Sequence, residues 1–165
     1  MSIIDVLRRS GLEVTVAGIG KRDITGAHNI TIQADAKLEE VKINPDAIVL
    51  PGGMPGADNL RKSDELKKIL EYMNKSNKLI GAICAAPAVV LAAHGILRGR
   101  KATCYPGYEN KLGSETTFLP ERVVRDKNII TSRGPGTAIE FALEIVSALV
   151  SKEKANELSN AMLVK

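Results

Sequence analysis

"LIGAICAAPAVVLAAHG" (79–95) decides how this chain is read. The first five residues form a short, continuous apolar run, the pattern of a strand buried on both faces of a parallel sheet. Cys84 ends that run, and an alanine-rich stretch follows, with Pro87 placed where the first turn of a helix tolerates a missing N–H. A cysteine inside a strand is usually an inert small hydrophobe. One at a strand-to-helix corner sits among outward-pointing backbone N–H groups, where a thiolate is stabilised.

Working outward, "DAIVLPGG" (46–53) is a second buried-strand pattern, closed by Pro51, Gly52 and Gly53. Between the two runs, residues 63–75 place Leu66, Ile69, Leu70 and Met73 at helical spacing, which completes a strand, helix, strand unit. Toward the N-terminus, 2–11 reads as an amphipathic helix capped by Ser2 and closed by Gly11. "LEVTVAGI" (12–19) and "NITIQAD" (29–35) read as strands, and "AKLEEV" (36–41) as a helical turn. Toward the C-terminus, "KATCY" (101–105) is a strand and "RVVRDKNIITS" (122–132) a hairpin turning at 126–128. Residues 137–150 form a strongly apolar helix and 152–162 a terminal one. The alternation predicts one α/β domain over 1–165 with a mostly parallel sheet covered by helices on both faces.

Composition agrees. The chain has 165 residues, 44% hydrophobic and 25% charged, with no Trp and five Phe or Tyr, so Ile, Leu, Val and Ala must fill the core. The net charge of +4 is spread along the chain without interleaved aromatic residues, which argues against nucleic-acid binding. No apolar run reaches the roughly 18 residues that span a bilayer. Two cysteines and no secretory leader pattern point to a reducing cytoplasm. Two cysteines and the separated His28 and His94 have no metal-ligand spacing, so neither a metal nor another cofactor is expected.

In open α/β sheets, sites form beyond the carboxyl ends of strands, and the two unusual loops here, 51–53 and 84–86, follow such ends. Small residues flank Cys84 as a strained nucleophile elbow requires, and the N–H groups of Gly53 and Ala85 are placed to converge on an oxyanion. The other reading of Cys84 is a buried structural thiol. Cys104, inside "ATCYP", has no glycine-rich loop beside it and reads as structural, with a resolving role toward Cys84 as its alternative.

"VLPGG" (49–53), "AICAAP" (82–87) and "TSRGPGTAIEFAL" (131–143), in this order, resemble the ThiJ/PfpI superfamily, in particular its Parkinsonism-associated deglycase branch and bacterial chaperone-like relatives. The resemblance covers nearly the whole chain. It implies a flavodoxin-like three-layer sandwich, a homodimer, and a reactive cysteine at Cys84. It also implies glyoxalase or deglycase chemistry on small α-oxoaldehydes and their glycated adducts, or a redox-sensing, chaperone-like role in oxidative stress. Cys84 matches the nucleophile, and Gly52, Gly53 and Ala85 match the oxyanion loops. Ala85 stands where protease-type members carry a histidine, which argues against a peptidase. Tyr105 stands where many deglycase-branch members carry a histidine before proline. His28 falls near the position that reaches across the dimer to the partner's cysteine. The family's opening strand, and a glutamate that follows it and hydrogen-bonds the cysteine, have no counterpart in the 165 residues. A sheet without that strand is expected to leave unpaired edges.

Overall fold

The computed structural model describes residues 1–41 and 44–164. Its strands and helices follow the order α1 (Ser2–Arg9), β1 (Ala17–Gly18), β2 (Asp23–Thr25), β3 (Thr31–Gln33), β4 (Ala36–Lys37), β5 (Ala47–Leu50), α2 (Gly56–Lys62), α3 (Asp64–Lys75) and β6 (Leu79–Ile83). There follow β7 (Lys101–Ala102), β8 (Thr117–Phe118), β9 (Val123–Asp126), β10 (Ile129–Ser132), α4 (Ala138–Leu149) and α5 (Lys152–Ala161).

The central sheet has the order β5-β6-β10-β9, with β5, β6 and β10 parallel and β9 antiparallel at the edge. Strand β6 is buried along its whole length, as its uninterrupted apolar sequence requires. Gly81 is small because Phe141 and Ile145 of α4 press on it: a Cβ there would meet the Phe141 ring at 3.0 Å.

Each face of the sheet carries its own core. On one side α2, α3 and the segment after β6 bury Leu66, Leu70, Met73, Val90, Leu91 and Leu97. On the other, α1, α4 and α5 bury Val6, Phe141, Ile145 and Val146. This is the three-layer sandwich, with mostly parallel strands, that the sequence predicts. Cys84 packs against both cores, because it leaves the sheet at the boundary between them.

Several local expectations are corrected. Ser2 begins α1 instead of capping it, and Met1 is the N-cap. Ser63 does cap α3, its hydroxyl accepting from the Leu66 N–H at 3.2 Å. The run 12–19 contributes only Ala17–Gly18, paired in parallel with β4 as a separate two-stranded sheet. The run 29–35 contributes only β3, which forms an exposed hairpin with β2. In 101–105 only the first two residues pair, with β8. The segment after Cys84 winds as a π-helix over Pro87–Leu91, the Ala92 N–H donating to the Pro87 carbonyl at 2.9 Å.

Among the described residues β5 pairs only with β6. The Leu79 N–H donates to the Asp46 carbonyl. By the alternation of an extended chain, residues 46, 48 and 50 therefore address β6 while Ala47 and Val49 turn their N–H and C=O groups to the open side.

Candidate active site

Cys84 has φ +65°, a left-handed conformation that costs a non-glycine residue about 1–3 kcal/mol and survives only when its surroundings enforce it. Its surroundings do so through the backbone. The Cys84 N–H donates to the Ser132 carbonyl at the end of β10 (2.9 Å), and the Cys84 carbonyl accepts from the Tyr105 N–H (2.8 Å). Ser132 is itself tied down, its Oγ donating to the Arg122 carbonyl at 2.9 Å and lying 2.6 Å from the Thr137 hydroxyl. The elbow thus hangs between the end of β10 and the segment that follows β7, and Cys84 is left half-buried.

Gly52 and Gly53 close the second side. A Cβ on Gly52 would lie 2.6 Å from the Cys84 Cβ, 2.6 Å from the Ile83 carbonyl oxygen and 2.8 Å from the Ala85 nitrogen, so only glycine admits this approach. Gly53 follows with φ +85°, again a glycine conformation. The N–H groups of Gly53 and Ala85 donate to no acceptor among the described residues. For Ala85, which is only 3% exposed, that is a buried donor without a partner, and such groups are retained where a ligand or reacting oxygen satisfies them.

The other predicted site residues divide. Tyr105 is at the site: its N–H holds the Cys84 carbonyl, its ring packs on Gly134, and it meets Tyr108 edge-on with ring centroids 6.4 Å apart. His28 is not brought to Cys84 within the chain. It sits in the exposed turn of the β2–β3 hairpin, with no hydrogen bond to the Cys84 corner among the described residues. His94 ends the helical segment after the elbow, its Nε2 buried without a partner among the described residues.

Sequence reasoning missed Arg133 and Glu109, which flank the Cys104–Tyr105 segment. Glu109 accepts from the Gly107 N–H at 2.7 Å and lies 3.9 Å from Arg133. Arg133 donates to the Pro120 carbonyl and stands over the Phe118 ring. The signal was available for Arg133, which lies inside "TSRGPGT" (131–137), but nothing local marks Glu109. Cys104 is fully buried, and that burial, reinforced by the Glu109 carboxylate and opposed by Arg133, pushes its thiol up to about 11.

Residues 1–148 match the pattern of the DJ-1/PfpI family. Protein DJ-1 homolog B of Arabidopsis thaliana is 44% identical over 99% of this chain, which spans only 38% of that relative's length. The glutathione-independent glyoxalase DJR-1.2 of Caenorhabditis elegans is 42% identical over 93% of the chain and 82% of its own length. The oxidized DJ-1 structure of Toxoplasma gondii superposes with a TM-score of 0.94 at 40% identity, covering 98% of this chain and 89% of that one. No helix among the described residues is long and apolar enough to cross a membrane. With the elbow cysteine, the paired glycines and the three-layer sheet all in place, the chain belongs to the DJ-1/PfpI family.

Proposed function

We propose that the protein is a cysteine-dependent stress enzyme of the glyoxalase or deglycase type, acting through Cys84 on reactive α-oxoaldehydes or their adducts. The observation that carries this reading is the pair of unbonded N–H groups, from Gly53 and Ala85, beside a cysteine held at positive φ. The Cys84 sulfur attacks the aldehyde carbon of a substrate such as methylglyoxal, and the carbonyl oxygen becomes the oxyanion of a hemithioacetal. The two N–H groups receive that charge, a contribution of about 3–4 kcal/mol per well-placed donor in comparable sites. The aldehyde hydrogen then moves as a proton to the neighbouring carbon, giving a thioester. Water hydrolyses the thioester to a 2-hydroxy acid and frees the thiol. Tyr105, whose N–H binds the Cys84 carbonyl, is the candidate side-chain donor for the second carbonyl, and among the described residues no side-chain hydrogen bond to Cys84 identifies the base.

Three further elements of the reading have indirect support. A homodimer fits the hairpin β2–β3, whose Ile24 and Ile30 are 37% and 67% exposed and whose turn offers His28 to a partner's site. An additional strand between β1 and β5, with a glutamate in the following loop, would pair Ala47 and Val49 and supply the base. The absence of a long apolar helix among the described residues is compatible with a cytoplasmic protein.

The second reading is a redox-responsive, chaperone-like protein in which Cys84 is oxidised without turnover. It needs an exposed thiol and no base. Lactate formation from methylglyoxal distinguishes the two. Steady lactate production by the native chain, abolished in Cys84→Ala, supports the enzyme. Peroxide-dependent mass gain at Cys84 with no lactate above the Cys84→Ala background supports the sensor.

A further inference from the structure

We propose that Cys104 is the resolving thiol for Cys84, so that oxidation of the reactive cysteine is captured as an intrachain Cys84–Cys104 disulfide. The proposal goes beyond the aldehyde chemistry above and rests on it only in taking Cys84 as the reactive thiol.

Three observations carry it. First, these are the two free cysteines of the chain, and the backbone joins their positions: the N–H of Tyr105, the residue after Cys104, donates to the Cys84 carbonyl at 2.8 Å. That bond sets the two cysteines on adjoining backbone segments, and the Cys84 thiol is close enough to act on the charge of the Cys104 thiol, the neighbourhood in which a disulfide forms. Second, Cys84 packs against the same hydrophobic cluster to which Cys104 belongs, so no other layer separates them. Third, the exposures differ in the sense a sensing pair requires. Cys84 is half-buried and Cys104 is fully buried, so a small oxidant reaches Cys84 first.

The chemistry balances with a peroxide as oxidant. The Cys84 sulfur takes one oxygen from hydrogen peroxide, giving a sulfenic acid and water. The Cys104 sulfur then attacks the Cys84 sulfur, the S–O bond breaks as the S–S bond forms, and the Cys104 proton leaves with the hydroxide as a second water. Burial, with Glu109 adding to it and Arg133 opposing it, keeps Cys104 protonated at neutral pH. Closure is therefore slow at pH 7 and accelerates as the pH rises, and a transient sulfenic acid precedes the disulfide. The result is a reversible stop short of sulfinate, a state that thiols restore.

The test exposes native protein, Cys104→Ser and Cys104→Ala to equimolar hydrogen peroxide with dimedone present, followed by non-reducing peptide mass spectrometry at pH 7 and pH 9. The native chain is expected to yield a linked Cys84–Cys104 peptide pair, lighter by two hydrogens, more abundant at pH 9 and reversed by dithiothreitol. Both Cys104 variants should give several-fold more dimedone adduct at Cys84 and go on to gain two oxygens. Equal dimedone labelling of native and variant proteins, with Cys84 gaining oxygen and no linked pair, overturns the proposal and leaves the aldehyde reading standing. Failure of Cys84 to take up oxygen or dimedone in any of the proteins also overturns the proposal, while lactate formation from methylglyoxal tests the aldehyde reading separately.

Discussion

Gly52 and Cys84 come from loops that follow different strands, yet a Cβ on the first would overlap the Cβ of the second at 2.6 Å. Two of the three atoms that such a Cβ would meet are main-chain atoms, the Ile83 oxygen and the Ala85 nitrogen, which cannot swing aside as a side chain does. Gly52→Ala is therefore expected to cost about 1–3 kcal/mol of stability, the usual range for overpacking, and to displace Ala85 from the position proposed for it beside Cys84. Thermal melting should show the loss, and methylglyoxal turnover should fall further than the stability change explains. A variant with native turnover would mean that the two loops are not held in this contact during catalysis.

Cys104 also sets a pH dependence. Its thiol is raised to about 11 in the folded chain against 9.0 as its ordinary value. Up to about pH 9 the thiol is neutral in both states and costs nothing. Above that the unfolded chain loses the proton while the folded one keeps it, so stability falls as pH climbs through 9 toward 11. Melting temperatures measured from pH 8 to 10.5 should decline less steeply in Cys104→Ala than in the native chain.

Glu140 acts in the acid range with the opposite sign. The Arg122 guanidinium, which donates to both its oxygens at 2.7–3.0 Å, holds its carboxyl below the usual range. The contribution is present above the unfolded carboxylate value and is lost as pH falls through the lower folded one. Both side chains are substantially exposed, so Arg122→Ala should cost no more than about 1 kcal/mol at pH 7. The native and variant melting curves should converge as the pH falls below the lowered folded value of Glu140. A gap that persists there would mean that the arginine stabilises by packing instead of charge.

The open side of β5 gives a residue-resolved expectation. The Ala47 and Val49 amides, which face away from β6, should exchange hydrogen orders of magnitude faster than those of Ile80 and Ile130 inside the sheet. Fusing an apolar strand that pairs there should slow both and raise the melting temperature. Protection at Val49 equal to that at Ile80 would show that the edge is already covered.

This edge also shows where sequence reading reached its limit. Strands β5, β6 and β10 and helices α3 and α4 were legible because each carries its own signal, an unbroken apolar run or a helical stripe. The run 12–19 has the same local signal, but a strand is defined by its partners. Among the described residues only Ala17–Gly18 finds one, in β4, so the remainder joins no ladder. At the site, Cys84, Gly52, Gly53 and Ala85 could be read because small residues around a cysteine at a strand end have few other uses. Glu109 could not, since it approaches Cys104 only through the folding of the 103–118 loop, and no spacing encodes that. The π-turn at Pro87–Leu91 was likewise hidden behind an ordinary alanine-rich helical pattern.

The proposed dimer makes a separate prediction. Light scattering at micromolar concentration should return twice the chain mass of 17.7 kDa. His28→Ala should change the alkylation rate of Cys84 more than His94→Ala does, because only His28 stands on an exposed hairpin. A monomer mass, or equal effects of the two substitutions, would count against the arrangement.

The central claim is that Cys84, and not Cys104, is the reacting thiol, and peptide-resolved alkylation kinetics with iodoacetamide on the native fold test it most directly. At pH 7.5 Cys84 should be modified at least about tenfold faster than the buried, protonated Cys104, which should label only after unfolding. Equal rates at the two cysteines, or faster labelling of Cys104, would contradict the account.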